Sequence, residues 1–216
     1  AYTVPAGYSF SGWDNLPKMQ DDDIRFNATT TPNTTTSYVV ETYLENVDGI
    51  TYLKTEQNYT GTTDTIATAN VDVPTGFVLN TSESILSGNI NGDGSLVLEI
   101  YYDREVYTVT YKVDNVVVGD IDSYKFGETT ELRAAPTQFG YTFSGWSDLP
   151  VTLTENVIVT GSFTINNHTL TYIVDGVSNK INYDYNELID LAYPTKDGYT
   201  FTGWSPALPE RMPDNS

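Results

Sequence analysis

Residues Gly140 to Trp146 read Gly-Tyr-Thr-Phe-Ser-Gly-Trp, and this heptapeptide is the best guide to the fold. The pattern Gly-Tyr-(Ser/Thr)-Phe-(Ser/Thr)-Gly-Trp recurs at Gly7 to Trp13 and Gly198 to Trp204, each time with Leu-Pro a few residues later. The last two copies start 58 residues apart. A fixed period of this length predicts tandem copies of one compact module.

The residues upstream of the last two copies also match. Tyr107 to Asp114 reads Tyr-Thr-Val-Thr-Tyr-Lys-Val-Asp, and His168 to Asp175 reads His-Thr-Leu-Thr-Tyr-Ile-Val-Asp. Apolar residues alternate with Thr and Lys, so one face carries Tyr107, Val109, Tyr111 and Val113. Period-two alternation predicts a β-strand that is buried on one side.

The composition favours a folded β protein. Aromatic residues make up 13% of the chain, and Thr, Tyr and Val cluster in alternating runs, which is typical of strands. The 29 acidic residues outnumber the 10 basic ones, giving a formal charge of -19. Without a basic patch we expect no nucleic-acid partner. No uncharged apolar stretch is long enough to span a bilayer, so we expect no membrane insertion within this segment.

Residues 37–104 lack the heptapeptide and predict a different module of similar size. They open with the strand-like run Ser37-Tyr-Val-Val-Glu-Thr-Tyr-Leu44 and close with Ser95-Leu-Val-Leu-Glu-Ile-Tyr-Tyr-Asp-Arg104. Turn signals lie between these runs, at Asp48-Gly49 and Asn91-Gly-Asp-Gly94 among others. The polar run Asn27 to Ser37 is the best linker candidate.

The repeats at 105–165 and 166–216 resemble the Listeria-Bacteroides repeat, also called the internalin B repeat. The likeness rests on Tyr107-Thr-Val-Thr-Tyr111, Phe126-Gly-Glu128, Pro136 and the heptapeptide. The middle module is similar to the mucin-binding-type repeats of Gram-positive surface proteins. These resemblances imply a β-grasp-like fold and an extracellular, bacterial cell-surface location, and they bring no catalytic residues with them.

Taken together, these patterns predict a mainly β protein of tandem small β-grasp-like modules in an elongated array. We expect the C-terminal half of a repeat at 1–31, a mucin-binding-type β module at 37–104, a Listeria-Bacteroides-type repeat at 105–165, and a second, truncated repeat at 166–216. The last repeat has no counterpart of Val157 to Phe163.

The aromatic residues of the heptapeptide have two possible roles. Tyr, Phe and Trp lie on one face of a strand, and the second Gly disturbs the register as a β-bulge would. They could form a platform on which sugars stack, but a small module needs large side chains in its core. We therefore expect Trp13, Trp146 and Trp204 to be buried in equivalent environments.

No residue set predicts catalysis or a cofactor. His168, the only histidine, takes the position of Tyr107 in the repeat, so we interpret it as a half-buried ring on a strand. The chain has no Cys, which excludes thiolate chemistry and disulfides. Asn89 to Ser95 resembles a calcium loop without its bidentate Glu and is more simply a hairpin turn. Asp21, Asp22 and Asp23 could attract a cation but favour a solvated loop.

These observations favour a non-enzymatic stalk or spacer segment of a bacterial cell-surface adhesin, in which each module packs against neighbouring repeats of the same chain. The alternative is that the modules directly bind a host glycan or protein through exposed Tyr and Thr residues of the middle module. An enzyme would need clustered titratable groups in a pocket, and the sequence shows no such cluster.

Overall fold

The computed structural model describes residues 1–13 and 26–214, and every regular element in these ranges is a β-strand. The described residues contain no helix long and apolar enough to cross a membrane. The chain divides into two units. Unit 1 comprises residues 1–106 and 125–128, and unit 2 comprises residues 107–124 and 129–216. The mainly β prediction is confirmed, whereas the β-grasp-like detail and the division into four modules stay predictions.

Unit 1 contains the first eight strands. They are β1 (Tyr8–Trp13), β2 (Ala28–Pro32), β3 (Thr36–Glu45), β4 (Tyr52–Gly61), β5 (Ile66–Thr68), β6 (Phe77–Leu79), β7 (Ser87–Asn89) and β8 (Val97–Arg104). Strands β1 and β2 pair with each other, as do β5 and β7, and a four-stranded sheet has the order β4-β3-β8-β6. Strand β3 is antiparallel to β4 and parallel to β8.

The core of unit 1 lies on one face of the four-stranded sheet. Leu98 is fully buried and Ile100 is almost so. Ala67, Ala69 and Ile90 come from the segments that cross this face, and all three are buried against the sheet. Because two of these crossing residues are alanines, the crossing segments contribute little side-chain volume.

The run expected to be a linker is instead part of two strands. Residues 28–32 form β2, and β3 already begins at Thr36, which is buried and hydrogen-bonded to Thr63 at 2.7 Å. The linker prediction was therefore wrong. Thr is β-branched and favours extended backbone, so a Thr-rich run without apolar residues can still form a strand.

Unit 2 contains the remaining strands, except for Val106 and Lys125 at the ends of two of them. They are β9 (Val106–Val113), β10 (Val116–Val117), β11 (Asp122–Lys125), β12 (Tyr141–Phe143), β13 (Val157–Gly161), β14 (Phe163–Ile165), β15 (Asn167–Val174) and β16 (Val177–Asp184). Strand β9 pairs with β10 and β11 and runs parallel to β13, and β12 pairs with β14. Strands β15 and β16 form a separate hairpin.

The predicted alternation in β9 is confirmed. Val109 and Tyr111 are completely buried and Val113 nearly so, whereas Thr108, Thr110 and Lys112 are only partly buried. Leu153 and Val159 complete this core. The second repeat is less covered: within the described residues only β16 pairs with β15, and Tyr172, in the position of Tyr111, is half-buried.

The middle module of unit 1 and the first repeat of unit 2 share a strand order that their sequences hide. In unit 1, the first strand, β3, pairs with β4, which follows it in a hairpin, and on its other side with the parallel late strand β8. In the first repeat, β9 pairs in the same way with β10 and with the parallel late strand β13. A short strand after a left-handed glycine then pairs with the end of the late strand or its continuation: β6 with β8, and β12 with β14. The two sequence types thus have one connectivity.

A glycine turn recurs with the same local hydrogen bonds. In unit 2 the carbonyl of Gly140 accepts a hydrogen bond from the amide of Asn166, whose carbonyl accepts one from the amide of Tyr185. In unit 1, Gly76, Glu105 and Phe126 repeat this pattern. A Cβ added to Gly140 would lie 2.0 Å from Cδ1 of Tyr185, and its φ is +79°. This position therefore requires glycine.

Candidate functional site

Unit 1 has an open groove on the core-facing side of its sheet. The inner face of the β3–β4 hairpin forms its floor, and residues 68–74 form the opposite wall. The groove has a volume of about 560 Å³. Val40 and Thr42 on the floor are only half-buried, because the crossing segment does not extend over the hairpin. The site is therefore a part of the core face that has no cover.

The first repeat shows what covers this face elsewhere. The two modules can be aligned through the short strands β12 and β6, which follow Gly140 and Gly76. Phe143 of β12 pairs with Phe163, and Leu79 of β6 pairs with Tyr102. Four residues earlier on the late strands lie Val159 and Leu98, both fully buried.

The parallel partners of those two residues complete the equivalence. Val159 lies opposite Tyr111, and Leu98 lies opposite Val40. Val40 in unit 1 therefore occupies the position that a fully buried Tyr occupies in the repeat.

A second side chain fills the same space in the repeat. The guanidinium carbon of Arg133 lies 4.5 Å from the ring centre of Tyr111, and its Nε and Nη2 donate to Asp122 at 3.0 and 2.5 Å. Arg133 is seven residues before Gly140, and the residue seven before Gly76 is Ala69. Both Ala69 and Val40 line the groove. The groove exists because a Tyr–Arg pair in one module is a Val–Ala pair in the other.

The groove combines rings with oxygen-bearing side chains. Tyr38 and Tyr59 stack across the hairpin with ring centres 5.6 Å apart and an interplanar angle of 22°. Thr42, Asn70 and Asp72 add a hydroxyl, an amide and a carboxylate to the lining. Among the described residues, the lining includes the carboxylate of Asp72 and no Lys or Arg. Its charge therefore disfavours anionic ligands.

The opposite face of the same sheet carries tyrosines whose hydroxyls are already bonded. Tyr43 stacks on Tyr101 at 4.2 Å and donates to Glu41 Oε2 at 2.5 Å. Tyr52 donates to Asp103 Oδ1 at 2.6 Å, and this hydrogen bond, helped by burial, raises the pKa of Tyr52 to about 12. These groups stabilise the sheet itself, so the groove offers the better candidate surface.

Unit 1 also holds one buried ionic cluster. Glu45 is 5% exposed, contacts Lys125 Nζ through Oε1 and accepts a hydrogen bond from the Arg104 amide at 2.8 Å. Burial opposes its ionisation, but the hydrogen bonds from Lys125 and Arg104 outweigh burial and hold the pKa of Glu45 below its ordinary value. The cluster links the end of β3 to residues 125–128 of unit 1.

The three tryptophans are not equivalently buried. Trp146 and Trp204 are half-buried and pack edge-on against Tyr111 and Tyr172, at 5.0 and 5.5 Å between ring centres. Trp13 is 47% exposed and packs against Phe10 and Tyr2. The heptapeptide therefore places its Trp at the edge of the core, over the preceding Phe, and burial depends on what the first strand contributes. The predicted bulge is confirmed, between Phe10 and Gly12.

His168 is a partly buried residue of β15, and its Nε2 lies 3.0 Å from Asp214 Oδ1. Over the part of the chain that the structure describes, no three His, Cys, Asp or Glu residues are grouped as a metal site would need. Asp21, Asp22 and Asp23 lie outside the described residues.

The segment 91–95 forms a turn. The Gly94 amide donates to the Asn91 carbonyl at 2.9 Å, and Asp93 Oδ1 accepts from the Ser95 amide at 3.0 Å. It does not close a hairpin, because β7 pairs with β5 rather than with β8. The hairpin assignment was wrong, since the chain crosses from one sheet to another at this turn.

The groove was not predicted from the sequence, because it lies where two side chains are smaller than in the repeat. A single Val and a single Ala carry no chemical pattern of their own. The signal emerges only when residues 37–104 are aligned to the repeat through the strand pairs, which the heptapeptide cannot do because the middle module lacks it.

The two repeats of unit 2 match a known repeat family. Residues 107–171 and 168–207 match the Listeria-Bacteroides repeat domain. The chain is also similar to Internalin H of Listeria monocytogenes serovar 1/2a, with 38% identity over 116 residues. That alignment covers 46% of this chain and 20% of the relative, so this chain corresponds to about a fifth of that relative's length.

Proposed function

We propose that the Listeria-Bacteroides repeats of unit 2 serve as a non-enzymatic spacer in a bacterial cell-surface adhesin. The single observation that carries this proposal is how the shared aromatic residues are used. Trp146 packs on both Tyr111 and Phe143, with ring centres 5.0 and 4.9 Å apart. Trp204 packs in the same way on Tyr172 and Phe201, at 5.5 and 5.1 Å. The signature of the repeat is thus used for packing. The similarity to Internalin H supports a surface location.

A surface display experiment tests the spacer role. The chain is placed between a wall anchor and a reporter binding domain on a Gram-positive cell, and capture of the reporter's ligand is measured. We expect that replacing the second repeat, residues 166–214, by an unrelated small β domain preserves capture, since this leaves all of unit 1 in place. A loss of capture with every unrelated replacement would show that the repeats do more than space, and would contradict the proposal.

A second candidate function belongs to unit 1, which would bind a partner directly. The observation that favours it is the open groove, which the first repeat of unit 2 fills with its own side chains. A pocket with an apolar floor and a few convergent polar groups is the usual form of a binding site. The two functions are compatible, since they belong to different units.

A further inference from the structure

The groove of unit 1 corresponds to a place where the first repeat keeps a cationic side chain. In that repeat, Arg133 lies against Tyr111 and is anchored by Asp122 and by the carbonyl of Val118 at 3.2 Å. With Ala69 in place of Arg133 and Val40 in place of Tyr111, unit 1 has two much smaller side chains here. Unit 1 thus leaves open the place that the Arg side chain fills in the repeat.

The groove offers a cation an aromatic ring and a carboxylate of its own, in place of the Tyr111 and Asp122 that hold Arg133 in the repeat. Asp122 lies four residues before Phe126, and Tyr59 lies four residues before Thr63, which makes the corresponding main-chain hydrogen bond in unit 1. Tyr59 therefore takes the position of Asp122 and supplies an aromatic face in place of the carboxylate. Asp72 supplies a carboxylate from the opposite wall. A guanidinium binds both partners well, because it stacks on rings and forms paired hydrogen bonds with carboxylates.

The main chain of β3, at the centre of the floor, argues against an extended peptide backbone as the bound group. Strand β3 is paired on both sides, with β4 and with β8, so its amides and carbonyls are already used. Only side chains of the floor face the groove, and they suit a single projecting side chain. The absence of Lys and Arg from the lining removes any cation already in place.

From these observations we propose that the groove of unit 1 binds an arginine side chain presented by a partner protein. The inference rests on the binding function suggested for unit 1. The guanidinium would lie between the Tyr59 ring and the Asp72 carboxylate, with its aliphatic stem over Val40 and Ala69.

The test uses the full chain and a blocked tripeptide, acetyl-Gly-Arg-Gly-amide, titrated while the methyl resonances of Val40 and Ala69 are followed by NMR. We expect saturable shifts confined to the groove. The citrulline tripeptide, which is nearly isosteric and neutral, should bind at least about tenfold more weakly, because a charge-assisted hydrogen bond is about twice as strong as a neutral one.

Two variants make the test specific. Ala69→Arg supplies the missing side chain in cis and should abolish tripeptide binding. Leu191→Arg, which introduces Arg at the equivalent position of the second repeat, should leave binding unchanged. Asp72→Asn, at an exposed rim position that does not endanger folding, should weaken binding several-fold.

Three outcomes would overturn the inference: equal binding of the arginine and citrulline peptides, undiminished binding by folded Ala69→Arg and Asp72→Asn, or no groove shifts with the peptide. A panel of neutral oligosaccharides separates the cases. Groove shifts with a sugar alone would refute the arginine assignment but keep a binding function for unit 1, and silence with all probes would refute both.

Discussion

The two repeats of unit 2 share a sequence signature and differ in burial. In the first, β13 runs parallel to β9, and Val109, Tyr111 and Val159 are completely buried. In the second, within the described residues, only β16 pairs with β15, and Leu170, Tyr172 and Val174 are partly exposed. The same heptapeptide therefore does not guarantee the same core. The aromatic residues can stack locally, but full burial requires the late parallel strand.

The largest expected effect comes from removing the central ring of each repeat. Tyr111→Ala should cost about 3–5 kcal/mol, as large aromatic truncations in cores do. Tyr172→Ala should cost roughly half as much, because only part of that side chain leaves water on folding. Hydrogen exchange of β9 and β15 measures the two local stabilities separately. Equal losses would show that the parallel strand does not set the depth of the core.

Two equivalent glycines, Gly140 and Gly198, also distinguish the two repeats. Gly140 and Gly198 have φ angles of +79° and +77°, so an alanine at either should cost about 1–2 kcal/mol of backbone strain. Only at Gly140 would the new Cβ meet Tyr185, whereas nothing lies within 4 Å of Gly198. Gly140→Ala should therefore exceed Gly198→Ala by about 1–3 kcal/mol. Chemical denaturation of the two variants measures this difference, and identical midpoints would contradict it.

The smallest expected effect is a loss of stability of unit 1 at acidic pH, through Glu45. The folded pKa of Glu45 lies below its ordinary value, so its stabilisation is complete above that value and is lost as pH falls through the folded pKa. Because Lys125 is partly exposed, we expect only about 1 kcal/mol.

Hydrogen exchange of unit 1 at pH 7 and at decreasing acidic pH measures this effect. Glu45→Gln is the control, and it should flatten the pH dependence of unit 1 and leave that of unit 2 unchanged. A wild-type unit 1 with the same acid sensitivity as Glu45→Gln would show that Glu45 contributes no such stabilisation.

The sequence predicted the strands well wherever apolar residues alternate, as in β9, and the bulge at the second glycine of the heptapeptide. It failed at Asn27 to Ser37, because the strands there carry hydroxyls on both faces and show no hydrophobic period. It also overstated the burial of Trp13, which depends on partners distant in sequence. The groove could not be predicted, because it arises from the substitution of two side chains at positions that only the strand pairing makes equivalent.

The parallel pairing of β9 with β13 has a consequence for mechanical load. The first and the late strand of this repeat are neighbours, joined over Val157 to Gly161 opposite Val109 to Val113. When a repeat is pulled by its two ends, such neighbours slide along each other, so their hydrogen bonds must rupture together instead of one at a time. Forced unfolding depends on the rate of this rupture, not on the equilibrium stability. A repeat built this way can resist a pulling force even when its core is small.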